Sequence, residues 1–150
     1  MTITRLIAGR PVFARVALAA FLLMFGGAGS VWAAGNFPFD QELILDAAPM
    51  RPVKRVPVLN VAANGEATIN LWCRTVPGRV DLTDGTIKIE PGPLPEALPT
   101  MMVDGQCTPA RMQADQDLLA QLTRVTEWRK QGGIVVLVGP KTLKFRPSSN

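Results

Sequence analysis

The 150-residue chain contains no histidine and no tyrosine. Histidine is the commonest general base and metal ligand, so its absence excludes Ser-His and Cys-His nucleophile pairs and imidazole-held metal centres. Carboxylates, lysine or serine would have to carry any catalysis. Asp115 and Asp117 lie two apart, so on a helix they face different ways and form no acid pair. Asp81 and Asp84 flank a turn, and both sets read as solvated charges. Gly139-Pro140-Lys141-Thr142 lacks the frame of a phosphate loop and reads as a turn. The sequence therefore assigns no catalytic residue, no metal and no cofactor.

Acidic residues are absent from the N-terminal third of the first hundred residues, where Arg5, Arg10 and Arg15 precede an uncharged apolar run at 16–25. A small, Gly/Ala-rich stretch follows at 26–34. This is the order of a secretory signal, and Val31 and Ala33 suit the −3 and −1 positions of a cut before Ala34. The expected organisation is a signal peptide at 1–33 and a single domain at 34–150, exported by the Sec route to the periplasm. An uncleaved anchor is the alternative, because 16–35 carries no charge and is long enough to span a bilayer. No Arg-Arg pair precedes the run, which argues against the twin-arginine route.

With the leader removed, the formal charge of +4 nearly vanishes, for three of the sixteen basic residues lie in it and none of the twelve acidic ones do. No basic, aromatic-interleaved surface is left for a phosphate backbone, so nucleic acid is excluded as a partner. Cysteine is scarce: Cys73 and Cys107 are the only two. Neither follows the apolar run, which excludes a lipoprotein, and their spacing is not C-x-x-C. In an exported domain the pair reads as one disulfide, with two reduced thiols as the alternative. Such a bridge restricts the unfolded chain by roughly 4 kcal/mol in the loop-entropy picture.

What remains is rich in short alternating runs separated by turn residues. Leu43 and Leu45 form one; Leu59, Val61 and Ala63 pair through Asn64-Gly65 with Ala67, Ile69 and Leu71. Val80 and Leu82 turn through Asp84-Gly85 into Ile87 and Ile89. Residues 127–130 turn through Gly132-Gly133 into 134–138, and Gly139-Pro140 leads to Leu143 and Phe145. Pro91, Pro93, Pro95 and Pro99 mark an extended loop. One helix opens at Thr108-Pro109, with Met112, Leu118, Leu119, Leu122 and Val125 as its apolar stripe against the sheet. The fold class is α+β: eight or nine short antiparallel strands in a barrel-like or strongly twisted sheet, with one packed helix.

Two local elements stand out. Trp72 and Arg74 flank Cys73; the indole either fills core beside the bridge or stacks a ligand, and with Arg74 it would suit an aromatic anion. Arg51, Lys54 and Arg55 form a basic cluster that is either a polar loop between the first two strands or a peripheral contact for anionic lipid headgroups or an acidic partner.

The segment 101–109 (MMVDGQCTP), followed by Met112, Asp115, Leu118-Leu119, Leu122, Val125, Trp128 and the closing Leu143-x-Phe145, resembles the META domain family of HslJ-like proteins. In that family a T-x-M-x-C-like strand leads into a helix and a final hairpin. Asn64-Gly65 to Arg74, then residues 84–89 (DGTIKI), look like its other half, a G-C-N element followed by a hairpin. Trp72 and Arg74 stand where the family usually has Gly and Asn, and the proline-rich loop is longer than usual. The resemblance implies a barrel-like domain of the cell envelope, non-enzymatic, linked to stress or drug tolerance through binding a partner. The other reading is a small-molecule binding module with its pocket near Trp72 and Arg74. Mass spectrometry of the periplasmic fraction is expected to find a chain starting near Ala34; intact Met1 in the membrane fraction would overturn the export reading.

Overall fold

Leu43 and Leu45 turn inward from β1 (Glu42–Leu45) while Glu42 stays in solvent, and the same period-two burial recurs in the strands that follow. β2 (Val58–Val61) buries Leu59 and Val61, and β3 (Glu66–Asn70) buries Ala67 and Ile69. β4 (Thr75–Leu82) buries Val76 and Val80, with Gly78 between them on the same face. A Cβ on Gly78 would meet Ile69 Cδ1 at 3.4 Å, so the missing side chain leaves room for the neighbouring strand's isoleucine. β5 (Ile87–Pro91) buries Ile87 and Ile89, and β8 (Leu143–Pro147) buries Leu143 and Phe145. β6 (Glu127–Gln131) contributes Trp128, and β7 (Ile134–Val138) buries Val135, Val136 and Leu137 in one apolar run.

The computed structural model describes residues 36–52, 54–96 and 105–148. The leader, the expected cut and the first four residues of the 101–109 segment lie outside these residues. Among the described residues, the eight strands make one antiparallel sheet in the order β5-β4-β3-β2-β1-β8-β7-β6. All neighbours are sequential hairpins except β1 and β8, which join through Leu43↔Pro147 and Leu45↔Phe145. The two edges meet at the Thr86↔Glu127 bridge, where Ile87 N–H donates to the Thr126 carbonyl (3.1 Å) and Trp128 N–H to that of Gly85 (3.0 Å). The sheet is therefore a nearly closed barrel. The Trp128 indole donates to the Thr83 carbonyl (3.1 Å) and stands edge-on to Phe37 at 5.1 Å, which pins this seam. The helix α1 (Pro109–Leu122) lies between β5 and β6 in sequence and packs against β5.

The predicted hairpins are present, with adjustments. At Asn64-Gly65 the loop is Ala63 to Gly65, so Ala63 is an exposed turn residue rather than an inward strand position. Ala62 N–H bonds the Glu66 carbonyl (2.8 Å), Asn64 Oδ1 accepts from Glu66 N–H (2.9 Å), and Gly65 alone takes positive φ, +84°. That is a three-residue loop with a bulge glycine. Gly132 and Gly133, both at positive φ, do form the two-residue turn between β6 and β7. The turn joining β3 to β4 is new: Leu71 N–H donates to the Arg74 carbonyl (2.7 Å), so Trp72 and Cys73 occupy its tip. Pro77 and Gly78 inside β4 break the alternation that would have announced this strand from Thr75 onward.

Gly65 and Gly85 share positive φ, but a Cβ would lie 2.8 Å from the Val80 carbonyl oxygen at Gly65 and in open space at Gly85. Gly85→Ala is expected to cost about 1 kcal/mol, the penalty of the left-handed region, and Gly65→Ala clearly more. Urea denaturation of the two variants checks the order; equal losses would show that the neighbouring strand yields to a methyl group.

Candidate functional site

Thr108 caps α1, its hydroxyl accepting from Arg111 N–H (3.3 Å), and Pro109 fills the first turn, as the sequence predicts. The buried face differs from the expected stripe. It consists of Arg111, Asp115, Leu118, Leu119 and Leu122; Met112 is half-buried, and Val125 is buried beyond the helix end. The helix packs on the barrel with its apolar second half and on the β3–β4 turn with its charged first half.

Asp115 is thus not a solvated charge. It is fully buried, because the turn tip brings it three donors. Its Oδ1 accepts from the N–H groups of Trp72 (2.9 Å) and Cys73 (3.2 Å), and its Oδ2 accepts from Arg74 Nε (3.1 Å). Arg74 Nη2 also donates to the Met112 carbonyl (3.0 Å). Arg111, likewise buried, donates through Nη2 to the Trp72 carbonyl (2.7 Å) and through Nη1 to that of Gln106. Cys73 and Cys107 stand at disulfide distance with their Cα atoms 5.6 Å apart, which fastens the same turn to the segment entering the helix. Asp117, by contrast, is exposed as expected.

Beside this clamp lies a cavity of about 320 Å³. Ala114, Asp117, Leu118 and Gln121 of α1 form one side, Leu45, Asp46 and Ala47 at the end of β1 another, and residues 141–144 entering β8 the third; Trp72 closes it. The two candidate binding residues are therefore separated. Trp72, 8% exposed, lines the cavity, whereas Arg74 is held by Asp115 and is not among the lining residues. Among the described residues, Trp72 Nε1 and Arg111 Nε are buried without a hydrogen-bond partner. Lys141, just after the Gly139-Pro140 turn, and Lys144 of β8 also line the cavity. A signal for Asp115 was present: Arg111, Asp115, Leu118 and Leu122 recur at helical spacing, which places both charges on the face that the leucines bury.

The basic cluster occupies the loop between β1 and β2, closed by a Met50↔Arg55 bridge. Arg51 and Lys54 are exposed, Arg55 is half-buried, and Arg51, Pro52 and Lys54 border a shallow depression with Gly105 and Thr108. Among the described residues, no helix is long and apolar enough to cross a membrane, and no group of three or more Cys, Asp or Glu is placed to hold a metal ion.

A nearly closed eight-stranded antiparallel barrel, with one helix inserted before its last three strands, defines a small α+β barrel class. The META domain model matches residues 41–149, so the chain belongs to the META domain family. Its fold is similar to that of a protein from Burkholderia xenovorans with an NMR structure, at a TM-score of 0.52 and 22% identity, covering 75% of this chain and 84% of that one. None of the curated proteins matches the chain.

Removing the Asp115 carboxylate would leave the part-buried Arg74 guanidinium without its counter-charge and two backbone donors unpaired. Asp115→Ala is expected to lower stability by about 3–5 kcal/mol, and adding Arg74→Met should recover part of the loss. Chemical denaturation of the single and double variants checks this coupling; strictly additive losses would refute it.

Proposed function

We propose that the mature chain is an exported, non-enzymatic binding domain of the bacterial cell envelope, and that it takes a small molecule in the cavity beside Trp72. The observation that carries this reading is the cavity itself, a concave space with an apolar lining of Leu45, Leu118, Leu143 and Trp72 and a polar rim. Its volume falls at the small end of ligand sites, which run from about 300 to 1,000 Å³. A cleft of this size suits a compact molecule better than a protein surface. Its Trp72 wall is held by Asp115, Arg111 and the Cys73–Cys107 pair, so little ordering is left to oppose binding.

Export is supported by the leader at 1–33 and by a cysteine pair at disulfide distance, an arrangement suited to an oxidising compartment. Capture of a small molecule in the envelope is a physical route to the stress or drug tolerance that the family resemblance implies. The exposed Arg51 and Lys54 favour a second contact, with anionic headgroups or an acidic protein.

A ligand at about one hundred times its dissociation constant adds roughly 2.7 kcal/mol to the folded state. For a domain of this length the melting temperature should rise by several degrees. A thermal-shift screen of envelope-active antibiotics, aromatic acids and lipid headgroups is expected to yield hits that change indole emission. Trp72→Phe, which leaves Trp128 as the one indole of the mature chain, should abolish that response. If no compound shifts the transition and co-purification recovers a protein instead, the cavity reading fails.

A further inference from the structure

The charges around the cavity are unevenly committed. Of its two carboxylates, Asp46 is paired with Arg146 at 3.4 Å, and Asp117 accepts from Gln113 Nε2 at 2.9 Å. Among the described residues, its two ammonium groups, Lys141 and Lys144, make no ion pair and no side-chain hydrogen bond. The one polar group in its apolar wall, Trp72 Nε1–H, is a donor, buried and unpartnered. With Asp46 offset by Arg146, the two ammonium groups outnumber the one carboxylate left without a cation, Asp117, so the rim around the apolar floor carries a net positive charge.

We propose that the cavity is specific for a compact carboxylate with an apolar body, the body lying against Leu45, Leu118, Leu143 and Trp72 and the carboxylate at the rim between Lys141 and Lys144. This rests on the reading that the cavity binds a small molecule, and it adds the charge of the ligand and the residues that select it. Lys141 and Lys144 are exposed, so they attract the anion without the cost of burying their own charge. Arg74, which the sequence places beside Trp72, takes no part, because Asp115 already neutralises it.

The probes are 1-naphthoate and octanoate, each matched with its uncharged amide, titrated into the mature chain by calorimetry and followed by indole emission. Each acid is expected to bind about three- to tenfold more tightly than its amide, the range that two solvent-screened ion pairs supply. The preference should shrink as salt is added. Lys141→Gln/Lys144→Gln, which changes only exposed side chains, should reduce each acid to the affinity of its amide and leave the amide unchanged. If acids and amides bind the wild type equally, the charge selection is refuted while the cavity reading stands. If neither binds and the indole does not respond, the cavity reading falls and this inference with it. If acid binding survives the lysine double variant but is lost in Arg51→Gln/Lys54→Gln, the anion is held at the β1–β2 loop and the assignment to the cavity is overturned.

Discussion

One carboxylate ties the two parts of this fold together. Asp115 is the point at which a helix and a barrel turn, 42 residues apart in sequence at Cys73, exchange hydrogen bonds. A turn tip has two backbone N–H groups that no strand can satisfy, and a buried donor without an acceptor costs about 1–3 kcal/mol. An apolar residue at position 115 could pack there but could not accept. The carboxylate accepts from both amides and balances Arg74, while Arg111, one helical turn earlier, returns the favour to the Trp72 carbonyl. Such a cluster contributes less through net stabilisation than through direction: it admits one docking register of the helix and fixes the wall of the adjacent cavity.

This arrangement also explains which parts of the molecule were legible in its residues. Strands were readable wherever inward leucine, isoleucine and valine alternated with exposed polar residues, as in β1, β2, β3 and β5, and turns wherever glycine relieved a positive φ. The family was legible from the order of its motifs, and the barrel followed. The start of β4 was not, because Pro77 and Gly78 carry no alternation. Asp115 was not legible as a buried group: a lone aspartate on a helix is ordinarily solvated, and only the position of the β3–β4 turn reverses that expectation. Trp72 and Arg74 likewise have different surroundings, the cavity for one and Asp115 for the other, since adjacency in sequence says little about two residues around a turn tip.

The Trp128 region is a counterpart to the Asp115 clamp built on different forces. There the seam between the two sheet edges is held by backbone bonds at Gly85 and Thr126 and by ring packing of Phe37, Phe39 and Trp128. No charge is involved, which fits a junction between strands whose amides already satisfy one another. Among the described residues, charge appears in the interior only at Arg111 and Asp115, where backbone groups of a turn must be met from outside the sheet.

The pairing of the first strand with the last has a consequence in time. β1 can complete its sheet only after β8 exists, about a hundred residues later, as the Leu45↔Phe145 register shows. Closure of so long a loop is entropically costly, and chains dominated by such distant pairings fold slowly. During synthesis the five N-terminal strands would therefore stay an open sheet until the C-terminus is released. On the export route proposed above, that delay would be an advantage: the chain would stay translocation-competent on one side of the membrane and close into a barrel only on the other.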